Sequence, residues 1–510
     1  VSDTVATPRP PETHSPTRAE PAKPRRSRPL ALAAGHPWWI VGIALTIFSG
    51  LVVLWAHTRP GYDPYGWLVW GYQTLHLSLD LGGAPSWKPL PWLFTVPMSL
   101  AGHYSLWLWM LFSVTVSLSG CIFAGRIAYR LIARDGHGRT PAIIAAIFAG
   151  LAPLGIDQYM HIVLSVQSDP MIVSIVFAAI DSHLSGRRRW AFAFLVLASL
   201  GRPESWPFCG LYAIWAWRTI PEMRRFVAFG IALIPVLWFG VPTITNARPF
   251  VSAELAELSV RRIEGNKFIG VFHRYTALTY LPIQLLAVFA VIVAFLRRNR
   301  TVLLLAGAAV LWMVIEMAFV LHGWPGVPRY MFESAGVQCV LAGVAVGWIV
   351  AALMQSKVRW RSLVAPRWLG IPVAVAIAAT LVPGAIARMR AEHKDLIHEH
   401  ARTHVINWLA TAIRHLGGEK FINYCGKPVT HVGYVSVLAW FTHDNVGYLG
   451  HRVKFEMGLD HPIVLFTQLP NGWETLAHHT LPSKVASCTR LNKAWIYTSH
   501  HPNGVLVPRH

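Results

Sequence analysis

Charge is scarce in this 510-residue chain: only 14% of residues are Asp, Glu, Lys or Arg, while 54% are hydrophobic and mean hydropathy is +0.42. That is too apolar for a soluble domain and points to a multi-span membrane protein. Acids are the rarer sign, 24 against 45 bases, which gives a formal charge of +21. The bases fall in small clusters between apolar runs and form no long tract. This is the positive-inside pattern, and it argues against nucleic acid as a partner. Cysteine is also sparse. Cys121, Cys209 and Cys339 sit in apolar segments, where a thiol acts as a small hydrophobe. Cys425 and Cys488 lie in the polar C-terminal region, and an oxidising compartment would let them pair. The chain lacks a phosphate-cradling glycine loop, a nucleotide-fold signature and a defensible Ser/His/Asp order, so soluble nucleotide substrates have no support. No cleavable signal is expected either, because the first apolar run follows a Pro-rich basic tail and is too long for one.

Residues 1–36 are rich in Pro, Thr, Ser and charge, and read as a disordered cytoplasmic tail. Its basic end (Lys23, Arg25, Arg26, Arg28) precedes Trp38 to Ala56, about 19 apolar residues, enough to cross about 30 Å of hydrocarbon. The N-terminus is therefore expected in the cytoplasm and the next stretch, residues 57–91, outside. Within that stretch Leu68 to Leu81 is expected as a short helix on the membrane surface, with Trp67, Trp70 and Tyr72 as interfacial rings. Pro89 to Leu100 is short and Pro-bounded, which fits a re-entrant or interfacial piece. Further spans follow in a regular alternation. The basic loops (Arg126, Arg130, Arg134 and Arg139; Arg187 to Arg189; Arg297, Arg298 and Arg300) fall each time on the cytoplasmic side.

One piece breaks the pattern. Trp190 to Leu200 is interrupted by GRPES and resumes at Trp206 to Trp217, with basic residues on both flanks, so it reads as a hairpin of two short helices carrying Arg202 and Glu204 into the membrane. The total is about eleven apolar segments spanning residues 37–387, each judged by length against the bilayer. The expected fold is an α-helical polytopic membrane protein with a small extracytoplasmic α/β domain over residues 388–510. In that domain a helix over Ala391 to His415 precedes the strand candidates HVGYVSVLAWF, HPIVLFTQL and KAWIYTS. An outer-loop segment, SAELAELSVRRIEG, is a further helical candidate.

Asp63, in GYDPYGW just beyond the first span, is the sharpest chemical candidate: a carboxylate at a low-dielectric boundary can have its pKa tuned and act as a general base. The plain alternative is an Asp-Pro turn, and Asp80 in LDLGG reads as a turn or cap residue. Arg202 and Glu204 are costly at membrane depth, so they mark a functional site or a structural ion pair closing the hairpin. Glu316 is a lone acid inside a span, ionised only with a partner or a wet cavity, or else protonated and hydrogen-bonded. The loop HGWPGVPRYMFES offers Arg329 for two-pronged phosphate contact, with His322 and Tyr330 nearby and Lys88 as a further point charge. Alternatively, Arg329 snorkels at a span end. Asp157, His161 and Asp169 could hold a divalent cation, although loop solvation explains them as well. His400 and His404, one turn apart, have zinc-ligand spacing but equally suit a solvated helix face.

Three motifs, the loop acid in GYDPYGW, the RPE in LASLGRPESWPF and the loop GWPGVPRYMF, together with this topology, resemble the GT-C glycosyltransferases, most closely those of actinobacterial cell-envelope assembly that use polyprenyl-phosphate sugars. The resemblance covers about Trp38 to Ala387. It implies a plasma-membrane hexosyl- or pentosyltransferase, mannosyl or arabinosyl, taking a polyprenyl-phosphate sugar donor and a glycan or glycolipid acceptor. It also implies Asp63 as general base and Arg329, Lys88 and Arg202 as the groups that neutralise the departing phosphate. Many such proteins carry paired acids in this loop, whereas this sequence has Asp63 alone with Asp80 well downstream. The rival reading is a transporter or flippase, for which internal inverted repeats and midplane charges are the expected marks.

Overall fold

The computed structural model describes residues 37–83, 87–246, 248–250, 253–254, 257, 261–355, 359–360, 363–364, 369–497 and 506–509. The tail 1–36 lies outside them, as does most of the SAELAELSVRRIEG candidate. Among the described residues six helices are long and apolar enough to cross a membrane, or seven when the bent pair Lys267–Thr276 and Leu281–Leu296 counts as one span. Sequence reading expects about eleven segments, and the difference is one of length. The helices α5 (Arg139–Leu151), α7 (Asp169–Leu184), α8 (Arg188–Gly201) and α9 (Trp206–Thr219) have 13, 16, 14 and 14 residues. Each falls short of the roughly 20 that a bilayer crossing takes.

Residues from Leu45 onward form one unit, and the start of helix α1 (Pro37–Ala56), up to Ala44, belongs to a separate one. The helix α2 (Tyr62–Leu75) follows and packs on α3 (Pro89–Met98). Their approach is close enough that a Cβ on Gly71 would lie 2.6 Å from the Thr95 carbonyl. Trp67 and Trp70 are fully buried against Trp109 and Trp87, so they are core rings and not the interfacial ones their position in a polar stretch predicts. After a kink at Gly102 (φ 56) comes α4 (Ser105–Arg134), which packs against α5 and α7. The centre of the bundle is α14 (Phe332–Gln355), with 72% of its most apolar window buried, against 11% for α15 (Gly370–His415). Between these regions lie α6 (Tyr159–Leu164), α10 (Arg224–Pro235, continued by Val236–Gly240 and Val241–Asn246), α11 (Lys267–Thr276), α12 (Leu281–Leu296) and α13 (Arg300–Leu321).

Arg–Asp pairs close both ends of the bundle. At one end Arg126 and Arg130 pair with Asp181, and Asn299 and Trp348 both donate to Asp135. At the other end Asp157 pairs with Arg388. Helix α15 has 46 residues, hence a length of about 70 Å, and carries the chain from the bundle into the C-terminal region without a break at residue 387.

That region contains a five-stranded sheet, β1 (Lys427–Thr430), β2 (Ile463–Leu469), β3 (Gly472–His478), β4 (Lys493–Tyr497) and β5 (Leu506–Arg509), in sequential order. The β1–β2 pair is parallel and the others are antiparallel. Two of the expected strands are present as β2 and β4. The third, HVGYVSVLAWF, is instead a 3-10 turn followed by the helix α17 (Val435–Thr442), after α16 (Gly418–Cys425). Val435, Leu438, Ala439 and Thr442 are its buried i, i+3, i+4, i+7 set, and α17 packs on α2. The residues read as an alternating strand therefore bury a helical face. Trp473 of β3 donates its indole N–H to the Val405 carbonyl of α15 at 2.8 Å, which fixes sheet to helix.

A disulfide joins Cys425, at the end of α16, to Cys488 across 63 residues. Closing a loop of that size restricts the unfolded chain and contributes on the order of 2–4 kcal/mol. Replacing both cysteines by serine is therefore expected to lower the melting temperature of the C-terminal region by several degrees, followed by proteolysis of that region on heating. Unchanged proteolytic stability would contradict this contribution.

Candidate active site

Four helix starts and one helix break converge on a single chain of charges. Asp63 lies in the first turn of α2, capped by Gly61, where the helix dipole favours a carboxylate. Gly61 leaves no room for a side chain, since its Cβ would lie 3.3 Å from the Ser165 carbonyl and closer still to the Gln167 amide. Asp169 is in the first turn of α7 and Glu333 in the first turn of α14. Arg329 sits in the 3-10 turn Pro328–Met331 just before α14. The loop leading to it is pinned by Arg274, which donates to the Pro325 and Gly326 carbonyls at 2.9 and 2.8 Å; Gly326 supplies the required φ of 58°. Arg202 is the extended residue between α8 and the short Pro203–Ser205 turn, and Glu204 lies in that turn. The carbonyl of Ser199, near the break, accepts the indole N–H groups of both Trp206 and Trp238.

The contacts run in series. Arg329 lies 3.8 Å from Asp63 on one side and 3.9 Å from Asp169 on the other. Asp169 in turn pairs with Arg202, whose remaining guanidinium nitrogens face Glu204 at 3.3 Å and Glu333 at 3.7 Å. Tyr330 stacks its ring 4.3 Å from the Arg202 guanidinium carbon, a cation–π contact in a desolvated setting. Lys88, the residue before α3, donates to Ser168 at 3.3 Å and lies 5.7 Å from the Trp67 ring. Burial pushes its ammonium below the usual lysine range, and the Asp169 and Asp63 carboxylates oppose this only in part.

Exposure sorts the members. The Asp169, Arg202, Glu204 and Glu333 side chains are at most 3% exposed, whereas Asp63 and Arg329 are 21% and 22% exposed. The series therefore opens to solvent at the Asp63–Arg329 end and is sealed at the Arg202 end. Glu316 of α13 is fully buried behind it, among Glu204, Arg202 and Glu333, with no hydrogen bond to either carboxylate oxygen among the described residues. Of the alternatives the sequence leaves open, the hydrogen-bonded acid is not seen among the described residues.

Other sequence candidates fall elsewhere. His322 is exposed at the end of α13 and takes no part in these ion pairs. Asp80 accepts the Gly82 N–H at 2.8 Å, a turn role. Asp157 is held by Arg388 and Asp169 by Arg202, which splits the acids read as a cation site with His161. Among the described residues no group of three or more His, Cys, Asp or Glu could hold a metal ion. His400 contacts the Ala56 carbonyl at 2.6 Å and the His404 ring lies tilted beside Trp408, so the two do not converge as zinc ligands would. Glu333 was not singled out by sequence, although an acid in the first turn of an apolar helix carries the same cost that marked Glu316. A cavity of about 890 Å³, lined by Ile147, Phe148, Met160, Leu164, Val375 and Arg388 among others, lies apart from the charge series; neither Asp63 nor Arg329 lines it.

No protein-family model matches the sequence, and no curated protein matches it. Among solved structures the chain is similar to ArnT from Cupriavidus metallidurans bound to undecaprenyl phosphate, with a TM-score of 0.52 at 15% identity, over 93% of this chain and 98% of that one. The fold is ArnT-like. The apo-state structure of the same ArnT matches over 90% of this chain and 95% of its own at 15% identity, with a TM-score of 0.47. The shared fold thus spans the helical bundle and the C-terminal region together, since 93% of 510 residues reaches well beyond the last membrane-length helix.

Arg202 is the residue whose removal this geometry punishes most, because Arg202→Ala would strand the buried Glu204 and Glu333 and leave Asp169 with Arg329 alone. Breaking a buried pair this way costs about 3–5 kcal/mol. Purified Arg202→Ala is expected to unfold well below the wild type in detergent, read by fluorescence-detected thermal melting. A melting temperature equal to the wild type would show that the acids find other partners.

Proposed function

We propose that this protein transfers a sugar from a polyprenyl-phosphate donor to a cell-envelope glycan or glycolipid on the extracytoplasmic face. The observation that carries the reading is the open end of the charge series: a carboxylate and a guanidinium 3.8 Å apart, both about one-fifth exposed, with every deeper member sealed. Asp63 accepts the proton of the acceptor hydroxyl, and the oxygen attacks the anomeric carbon. The bond from that carbon to the phosphate oxygen breaks, and its electron pair leaves with the polyprenyl phosphate. Arg329 and Lys88 neutralise the departing phosphate, and Arg202, with Tyr330 over it, holds Asp169 and so sets where Arg329 stands. Support also comes from the undecaprenyl phosphate bound to the similarly folded ArnT.

A guanidinium shared between Asp63 and Asp169 suits this sequence of events. An arriving phosphate draws Arg329 toward itself, which loosens its hold on Asp63 and leaves that carboxylate free to take a proton. A phosphate also favours the charged form of Lys88, whose burial otherwise disfavours it.

The deciding experiment uses full-length protein in vesicles, with polyprenyl-phosphate mannose and polyprenyl-phosphate arabinose as donor probes and octyl mannoside and octyl arabinoside as acceptors. Asp63→Asn is expected to lower transfer by at least about 100-fold while undecaprenyl-phosphate binding persists. Equal transfer by the mutant removes Asp63 from the mechanism. Flipping of a lipid-linked sugar without transfer would favour the transporter reading.

For sidedness, the proposal assigns the N-terminus and the Arg187 to Arg189 loop to the cytoplasm and the sheet region to the outside. A single cysteine at the exposed Ser483 is then expected to react with a membrane-impermeant maleimide in intact cells, and one at the exposed Arg187 to react only after permeabilisation. The opposite pattern inverts the assignment.

A further inference from the structure

The segment Ala56–Gly61, which joins α1 to the helix carrying Asp63, is held along its whole length by other parts of the chain. From α15, His400 contacts the Ala56 carbonyl at 2.6 Å and Thr403 accepts the Arg59 N–H at 2.8 Å. Asn407 accepts from the Arg59 side chain at 3.1 Å, and Arg402 donates to the Pro60 carbonyl at 2.8 Å. His400, Thr403 and Asn407 are spaced i, i+3, i+7, so one face of the helix delivers all three. Glu399, one turn earlier than Arg402, faces its guanidinium at 3.3 Å. From the opposite side Thr58 donates to the Leu164 carbonyl at 3.3 Å and the Gly61 N–H donates to Ser165 at 2.8 Å. The C-terminal region has a second hold on α2 itself, through Tyr65 against Phe441 and Tyr72 against His443, with ring centroids 6.4 and 5.3 Å apart.

None of these α15 residues takes part in the ion pairs of Asp63. Yet Pro60 is three residues from Asp63, in a backbone whose next residue, Gly61, is itself hydrogen-bonded to the Ser165 carbonyl. We infer that Arg402 and Thr403 are positioning residues for the transfer: by fixing Pro60 and Arg59 they set the place of the Asp63 carboxylate, so that the C-terminal region takes part in the reaction without touching either substrate. The inference rests on the reading of Asp63 as the base. Reaction rates fall steeply when a reacting group is displaced by about 1 Å, on the order of 100-fold, which is why a clamp three residues away is read in the rate.

The test uses the full-length protein in vesicles, with the same mannose and arabinose donor probes and octyl glycoside acceptors. Thr403→Val removes the acceptor for the Arg59 N–H at nearly constant volume, and Arg402→Met removes the donor to Pro60. Both are expected to lower kcat about 10- to 100-fold, with the donor KM and the affinity for undecaprenyl phosphate changed by no more than about twofold. Arg402→Lys, which keeps a donor, is expected to recover most of the rate. Hydrogen exchange at the Arg59 and Gly61 amides is expected to quicken in Thr403→Val and Arg402→Met. Wild-type kcat in both folded variants overturns the inference, as does a loss of rate that comes with an equal loss of donor binding and melting temperature. Asp63→Asn separates the two failures. Wild-type turnover in Asp63→Asn removes the base reading, whereas its loss alongside full rates in the Thr403 and Arg402 variants removes the positioning role alone.

Discussion

A guanidinium sealed inside an apolar bundle has to be neutralised where it stands, and Arg202, 2% exposed, is that group here. The ε-ammonium of a lysine could meet one carboxylate, but a planar fork with five donors can meet several, and Arg202 meets Asp169, Glu204 and Glu333. Those acids come from the starts of α7 and α14 and from the break after α8. The need to satisfy one cation therefore draws together helix ends that are far apart in sequence. Short helices are part of the same solution: α8 and α9, at 14 residues each, stop at the depth where Arg202 and Glu204 must sit. A broken backbone at that depth is tolerated because indole N–H groups of Trp206 and Trp238 cover the freed Ser199 carbonyl.

From this buried anchor the charges alternate outward, Arg202 to Asp169 to Arg329 to Asp63, and each member fixes the next. Asp169 is the pivot, because it faces both arginines and is itself wholly buried. Its position in the first turn of α7 gives it a helix dipole as a further stabilising partner, and the same holds for Asp63 in α2 and Glu333 in α14. A charge series built on helix N-termini is rigid at its base, and only its last pair, Asp63 and Arg329, meets solvent. In the proposed transfer, substrate contact is thereby confined to the members of the series that can exchange a protein partner for a ligand.

Much of this was legible in the residues. Apolar run lengths and basic loops gave the helical membrane class, the interrupted hairpin marked Arg202 and Glu204, and the GWPGVPRYMF loop marked Arg329. What could not be read was which charges meet. Asp169 sits in a polar stretch with Asp157 and His161, and nearness in sequence grouped it with them, whereas the fold turns Asp157 toward Arg388 and Asp169 toward Arg202. Trp67 and Trp70 misled for a related reason: aromatic rings in a polar stretch have the composition of an interfacial anchor, and only the packing of α2 on α3, with Trp67 against Trp109 of α4, buries them. The α17 segment failed on periodicity, because eight residues of mostly β-branched and aromatic character carry too few repeats to separate a period of 2 from 3.6.

The C-terminal region adds a constraint of a different kind. Ion pairs fix where the Asp63 carboxylate points, but they do not fix the backbone that bears it, since a two-bond side chain can follow its partner while the helix start drifts. That drift is opposed by hydrogen bonds from α15 to the backbone of Arg59, Pro60 and Ala56. Helix α15 can do this because it is continuous over 46 residues and is tied at its far end to the sheet through Trp473. A carboxylate held both through its charge, from within the bundle, and through its backbone, from the C-terminal helix, stays at one place at the boundary of the bundle. There its field is only partly screened, and a hydroxyl can still reach it.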